Sequence, residues 1–215
     1  MINKLLRAKH WQIFLLVVGI PIIAQIALGV MVSAPIDQDR AFFPFLEILP
    51  ILSFGLMAIF AAWFWAVGTG LQQLIPTNLQ LKVSRFRLAF FFPLAYGVYL
   101  IFFFVNVIRI FAELNPMDDA QPNLDIQQHL IIIIPLHLIS MFCILYCMYF
   151  VAKTFKTAVL QRKVTFLEYL GTIFAIWFFP IGIWSIQPQI NDLVKDTQFR
   201  SDSDGMTSIL DNEAF

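Results

Sequence analysis

Charged residues are scarce in this 215-residue chain: Asp, Glu, Lys and Arg together make up only 13% of it, whereas 60% is hydrophobic. Soluble domains have about 25% charged and about 45–50% apolar residues, so this composition argues against an ordinary water-soluble globule. Fourteen basic residues are balanced by fourteen acidic ones, which argues against a nucleic-acid-binding protein. The composition therefore predicts an integral membrane protein.

Sequence motifs of catalysis and metal binding are also missing. The two cysteines, Cys143 and Cys147, lie one helical turn apart in a hydrophobic stretch, and two thiols without further ligands do not make a metal site. The chain has no His-Glu-x-x-His, Gly-x-Ser-x-Gly, Walker-type or dinucleotide-binding pattern, the usual signatures of such chemistry. We therefore predict no enzymatic activity, no metal and no cofactor.

Long hydrophobic runs are abundant instead. About 20 apolar residues in a helix cross the roughly 30 Å of hydrocarbon in a bilayer. None of the runs alternates as a membrane β-strand does, so we predict an all-α bundle of about five transmembrane helices within residues 1–190. The fifth window is the shortest and has Pro180 in its middle, so a re-entrant or broken segment is its alternative. The windows are residues 13–32, 48–68, 88–108, 130–152 and 169–186.

Basic residues are concentrated in alternate connecting segments. By the positive-inside rule this predicts a cytoplasmic N-terminus, and five crossings then leave the C-terminus outside. Residues 191–215 are rich in acidic and other polar residues, and we predict that they form a flexible polar tail. Ten of the fourteen basic residues define the cytoplasmic side: Lys4, Arg7, Lys9, Lys82, Arg85, Arg87, Lys153, Lys156, Arg162 and Lys163.

Several polar side chains fall within or beside the apolar windows. Such groups are costly in hydrocarbon and need partners. On five straight helices they would converge in the outer half of the bundle. One interpretation is a cavity, open to the outside, for a small polar or anionic ligand or a proton; the other is that these groups bond to one another and fix helix packing. The predicted polar cluster consists of Gln25, Glu47, Asn106, Arg109, His137 and Gln187.

Small residues form two faces at helical spacing. Such faces allow helices to approach closely, either within one chain or between subunits. Besides the lipid bilayer, we therefore expect other membrane-protein subunits, or a second copy of the chain, as partners. The first face has Gly55, Ala58, Ala62, Ala66 and Thr69, and the second has Gly171, Ala175, Gly182 and Ser185.

Several strings together resemble a family of uncharacterised small bacterial multi-pass membrane proteins, over nearly the whole chain. The resemblance implies a location in the bacterial inner membrane and no particular reaction. Gln189 departs from the pattern, because a basic residue usually occupies that position in the family. The strings are Ala8-Lys9-His10-Trp11-Gln12-Ile13-Phe14 before Gly19-Ile20-Pro21; Ile75-Pro76, Leu81-Lys82 and Phe86-Arg87; Ala152-Lys153-Thr154-Phe155-Lys156-Thr157; and Trp177-Phe178-Phe179-Pro180-Ile181-Gly182-Ile183-Trp184 before Gln187-Pro188-Gln189-Ile190-Asn191.

Two functions follow from these patterns. The small-residue faces and the missing catalytic motifs favour a non-catalytic membrane subunit, scaffold or assembly factor. The predicted polar cluster favours the alternative, a small channel or transporter with a polar cavity in the outer half of the bundle.

Overall fold

The computed structural model describes residues 2–33, 38–113 and 126–213. Most side chains in these ranges are described as well, but those of residues 31–49, 111–128 and 200–213 are not. All regular elements in these ranges are helical, so the prediction of an all-α fold is confirmed for this part of the chain. A π-helical turn, Leu15–Gly19, joins α2 to α3, and a second one, Ala66–Gly70, follows α4. The α-helices are α1 (Ile2–Leu6), α2 (His10–Phe14), α3 (Ile20–Ser33), α4 (Gln38–Trp65), α5 (Val83–Glu113), α6 (Ile126–Leu160), α7 (Phe166–Trp177) and α8 (Phe179–Glu213).

Within the described ranges, four helical stretches are long and apolar enough to cross a membrane. They correspond to the first four hydrophobic windows of the sequence. Large apolar side chains are exposed along them, for example Ile23 at 67% and Phe102 at 73%. A helix that is apolar on its exposed side is typical of a protein whose surroundings are lipid. The four stretches are His10–Ala27, Pro50–Leu74, Val83–Ile110 and His129–Leu160.

The fifth window is divided between two helices. α7 has 12 residues, which extend about 18 Å, well short of the roughly 30 Å of a bilayer core. Phe178 leaves the helical conformation at φ −92° and ψ 54°, and α8 begins at the next residue. Pro180 lies in the first turn of α8, where its missing N–H interrupts no helical hydrogen bond. The window therefore corresponds to the broken-segment alternative rather than to one continuous helix.

The chain divides into two compact units. The first unit comprises Met1–Phe14, Ala62–Val83 and Met148–Phe215, and the second comprises Leu15–Ala61 and Ser84–Cys147. The largest fully buried side chains of the first unit are those of Trp63, Phe155 and Leu71. This unit therefore has a core of its own, built from chain segments that are far apart in the sequence.

In the first unit, α7 and α8 pack closely on either side of Phe178. A Cβ atom at Gly182 would overlap the carbonyl oxygen of Ala175 and lie 2.8 Å from its Cα, so only glycine fits at this position. The ring of Trp184 on α8 lies 4.5 Å from that of His10 and 5.9 Å from that of Phe14. α8 therefore packs against the short helix α2 near the N-terminus.

In the second unit, α5 packs against both of its neighbours. A Cβ at Gly97 would lie 2.8 Å from the ring of Phe54 on α4, which indicates a close approach of these two helices. On the other side, the rings of Phe103 and His129 are 5.2 Å apart. The polar segment from residue 191 onward belongs to α8, which extends to Glu213; its flexibility stays a prediction.

Candidate functional site

Gln187 has the most extensive side-chain hydrogen bonding in the first unit, and it is completely buried. Its Oε1 accepts a hydrogen bond of 2.9 Å from Nε1 of Trp63. Its Nε2 has two N–H groups, which are shared among backbone carbonyls at the N-terminus, with distances of 3.3 Å to Leu5, 3.1 Å to Leu6 and 2.9 Å to Ala8. Both ends of the amide are therefore satisfied, as a buried polar group requires.

Asn191 extends this arrangement by one helical turn. Its Oδ1 accepts from Nε2 of Gln187 at 3.2 Å, and its Nδ2 donates to the carbonyl of Ala8 at 3.3 Å. We call the side chains of Trp63, Gln187 and Asn191 and the carbonyls that they bind the glutamine clamp. The sequence places Gln187 at the outer end of a fifth span, whereas the structure bonds it to the N-terminal turn, because α8 packs against α2.

Gln72 is a second buried amide of the first unit. Its Nε2 donates to Oγ1 of Thr154 at 3.0 Å, and its Oε1 accepts from the backbone N–H of Leu81 at 3.0 Å. The backbone carbonyl oxygen of Gln72 accepts a hydrogen bond from Nε2 of Gln80 at 3.2 Å. The bonds of Gln72 thus join the segment after α4 to α6 and to the segment that leads into α5.

Sequence reasoning missed Trp63, Gln72 and Thr154 as members of these networks. A signal was present for Trp63, because an indole N–H inside an apolar helix needs an acceptor. No comparable signal marks Gln72, which stands just after a hydrophobic window like many residues at a membrane surface.

The predicted polar cluster is otherwise in the second unit. The side chains of Gln25, Asn106 and Arg109 are exposed. Nδ2 of Asn106 donates to the carbonyl of Phe102 on its own helix at 2.7 Å, which satisfies the amide locally. The side chain of Glu47 lies outside the described residues. A cavity shared by these positions stays a prediction.

His137 contacts Tyr96, a side chain that can exchange a proton with an imidazole. The Tyr96 hydroxyl lies 3.5 Å from Nδ1 of His137, and the two rings meet edge to face at 6.0 Å. The same hydroxyl donates to the carbonyl of Ile133 at 3.3 Å. Tyr96 is buried and His137 is exposed, so this pair joins an inner hydroxyl to an imidazole at the surface of the second unit.

A pocket of about 220 Å³ lies in the first unit, between the segment that precedes α5 and the C-terminal part of α6. Nζ of Lys153 donates to the Tyr149 hydroxyl at 3.0 Å, and Oγ1 of Thr157 donates to the carbonyl of Lys153 at 2.8 Å. The pocket therefore has a cationic and hydrogen-bonding wall. Its lining consists of Asn78, Leu79, Leu81, Lys153, Thr157, Lys163 and Val164.

The start of α7 lies close in sequence to this pocket and has its own ion pair. Glu168 accepts from the backbone N–H of Thr165 at 2.6 Å in a capping box, and it pairs with Arg162. These contacts, that of Arg162 first, lower the pKa of Glu168 from 4.5 to about 2. Glu168 is thus held as a carboxylate by Arg162 and the helix cap.

Within the described ranges, no group of three or more His, Cys, Asp or Glu side chains is placed to hold a metal ion. Cys143 and Cys147 are free thiols. No protein-family model, curated protein or solved structure matches the chain. The resemblance to a bacterial membrane-protein family therefore stays a prediction.

Proposed function

We propose that this chain is a non-catalytic subunit, scaffold or assembly factor of the bacterial inner membrane. The observation that carries the proposal is the unequal use of its small-residue faces. A Cβ at Gly182 would collide with Ala175, whereas a Cβ at Gly55 or Gly171 would have no atom within 4 Å. One glycine is thus used for packing inside the chain, and the other two remain open on exposed helix surfaces.

Open glycines on the exposed side of an apolar helix allow a partner helix to approach closely. Close packing between backbones is a main source of helix association in lipid, because lipid competes for every larger apolar side chain. Gly55 and Gly171 are both exposed. We therefore assign these two positions to contacts with another membrane subunit.

The buried amides support a structural role over a transport role. Gln187 and Gln72 have partners at both the oxygen and the nitrogen of the side chain. Buried polar networks that are fully bonded make a fold rigid, whereas a polar route for solutes needs groups that exchange partners with the solute. The first unit is built in the former way.

For the membrane topology we propose four crossings and a re-entrant hairpin formed by α7 and the start of α8. The length of α7 supports this, as does the direction of α8. Trp184 lies beside His10 and Phe14, and Gln187, one turn later, bonds to Leu6 and Ala8. α8 therefore runs antiparallel to the N-terminal segment and returns to the side from which the first span starts.

The charge distribution supports the same topology. Four crossings put both termini in the cytoplasm, so that Lys195 and Arg200 of the tail join the ten basic residues already assigned there. Twelve of the fourteen basic residues then lie inside, and only Arg40 and Arg109 do not. The positive-inside rule counts Lys and Arg and gives little weight to the acidic residues of the tail.

Native mass spectrometry of the complex purified in mild detergent tests the subunit role. We expect the wild-type chain in an assembly with another membrane protein at fixed stoichiometry. Gly55→Leu or Gly171→Leu should release the partner, because either fills an open face. Gly29→Leu is the matched control, since a Cβ at Gly29 would likewise have no atom within 4 Å but Gly29 lies outside both faces. A chain that runs at monomer or homodimer mass, or equal loss in all three variants, contradicts the proposal.

The alternative function is a small channel or transporter, and the pairing of Tyr96 with His137 is the observation that favours it. An exposed imidazole bonded to a buried hydroxyl resembles one step of a proton relay. Proton flux into proteoliposomes, compared between the wild type, His137→Ala and Arg109→Ala, tests it. A wild-type flux no higher than that of empty liposomes rejects this alternative.

A further inference from the structure

The pocket in the first unit combines two lysines with apolar side chains. Lys153 and Lys163 line it together with Asn78 and Thr157, and none of its lining residues is acidic. The nearby carboxylate of Glu168 pairs with Arg162, so its charge is balanced by a residue other than the two pocket lysines. An anion that enters the pocket therefore meets two ammonium groups and an amide, whereas the Thr157 hydroxyl donates to the carbonyl of Lys153.

The remaining lining residues, Leu79, Leu81 and Val164, are apolar. An inorganic anion makes no favourable contact with these apolar residues. A phosphate ester with a hydrocarbon part can contact both the apolar residues and the lysines. The pocket is also small: about 220 Å³ is below the roughly 300–1,000 Å³ of typical sites for drug-sized ligands. This size suits a headgroup whose hydrocarbon part remains outside.

The depth of the pocket fits the same ligand. Lys153 and Thr157 belong to the last two turns of the hydrophobic stretch His129–Leu160, at the end where basic residues accumulate. Basic pockets between helices on the cytoplasmic side of a membrane are typical binding sites for the headgroups of anionic lipids. We propose that this pocket binds the phosphate ester of an anionic phospholipid from the inner leaflet, with Lys153 and Lys163 on the phosphate and the side-chain amide of Asn78 as a hydrogen-bond donor.

The test is lipid binding to the purified, delipidated full-length chain, followed by native mass spectrometry. We expect one phosphatidylglycerol to bind more tightly than phosphatidylcholine. Each lysine near a membrane surface contributes an affinity factor of about fivefold, so Lys153→Gln with Lys163→Gln should weaken phosphatidylglycerol binding about 25-fold. The double variant with arginine at both positions should retain binding, since it keeps both charges.

The matched control is Lys4→Gln with Lys156→Gln. This pair removes the same charge from the same basic side, but neither residue lines the pocket. Binding lost equally in the control means that surface charge alone attracts the lipid, and this overturns the proposal, as does unchanged binding in the pocket variant. Circular dichroism and gel filtration establish that each variant is folded, and the arginine variant shows that loss of binding follows loss of charge.

Soluble phosphate compounds distinguish a lipid headgroup from a free phosphate as the ligand of the pocket. Glycerol 3-phosphate and inorganic phosphate are titrated against the same variants. Lysine-dependent binding of phosphatidylglycerol, with or without weak competition by glycerol 3-phosphate, supports the lipid. Lysine-dependent binding of the soluble esters without binding of phosphatidylglycerol overturns the lipid as ligand. Because no lining residue belongs to either small-residue face, failure of this proposal leaves the subunit role untouched.

Discussion

Gln187 accepts a hydrogen bond from the indole N–H of Trp63, and its two N–H groups are shared among backbone carbonyls near the N-terminus. A buried donor or acceptor that loses its partner costs about 1–3 kcal/mol. We therefore expect Gln187→Leu, which is of similar size but cannot hydrogen-bond, to lower the free energy of unfolding by about 2–3 kcal/mol. Denaturation in mixed micelles measures this change.

Gln189 gives the control for this prediction. It lies on the same helix two residues later, but it is exposed and donates to the carbonyl of Ser185 on its own helix. Gln189→Leu should change the free energy of unfolding by no more than about 0.5 kcal/mol, as is usual for surface substitutions. Equal effects of the two substitutions would contradict the structural role of the glutamine clamp.

Glu168 predicts a dependence of stability on pH. Its pKa in the folded chain is about 2, compared with an ordinary value of 4.5, so the unfolded chain binds a proton more readily. The stabilisation is fully present above about pH 4.5 and is lost as the pH falls toward about 2. Melting temperatures measured across this range should fall more steeply for the wild type than for Glu168→Gln, which keeps the cap but removes the charge.

A second carboxylate separates this effect from general acid destabilisation. Asp192 is exposed on α8, and Asp192→Asn should follow the wild-type curve. Parallel curves for the wild type and Glu168→Gln would show that the ion pair with Arg162 does not stabilise α7.

At the scale of elements, the contact between α7 and α8 depends on one glycine. Because a Cβ at Gly182 would overlap the backbone of Ala175, Gly182→Ala forces the two helices apart. Overpacking of this kind costs about 1–3 kcal/mol, and we expect a loss of stability of that size. Gly171→Ala is the control, since its Cβ would have no atom within 4 Å. If both variants unfold like the wild type, the two helices do not pack as described.

How much of these elements the sequence predicts differs along the chain. The four helical stretches of membrane-spanning length follow from the length and hydropathy of continuous runs, which are local properties. The sequence predicts only part of the division of the fifth window. Pro180 indicates a break in the helix, but it does not indicate the direction of the chain after the break. That direction depends on Gln187 and Trp63, which are 124 residues apart, and on backbone carbonyls that no residue type identifies. The bonds of Gln187 to the N-terminal turn were not predicted from the sequence for the same reason.

At the scale of the whole molecule, the number of crossings decides which residues share a compartment. Five crossings put Lys156 and the C-terminus on opposite sides of the membrane, whereas four crossings with a re-entrant hairpin put both in the cytoplasm. Single cysteines at Lys156, at Gln189 and at the C-terminal Phe215, in a chain with Cys143→Ala and Cys147→Ala, report the compartment through a maleimide that does not cross membranes.

In intact cells we expect no labelling at any of the three positions, and full labelling at all three once the inner membrane is permeabilised. A cysteine in place of Asp125, which precedes α6 at the opposite end of that helix, should be labelled in intact cells and serves as the outside control. Labelling of Phe215→Cys in intact cells would restore the fifth crossing. In that case α8 would have to leave the N-terminal turn, and the bonds of Gln187 to Leu6 and Ala8 would not exist in the membrane.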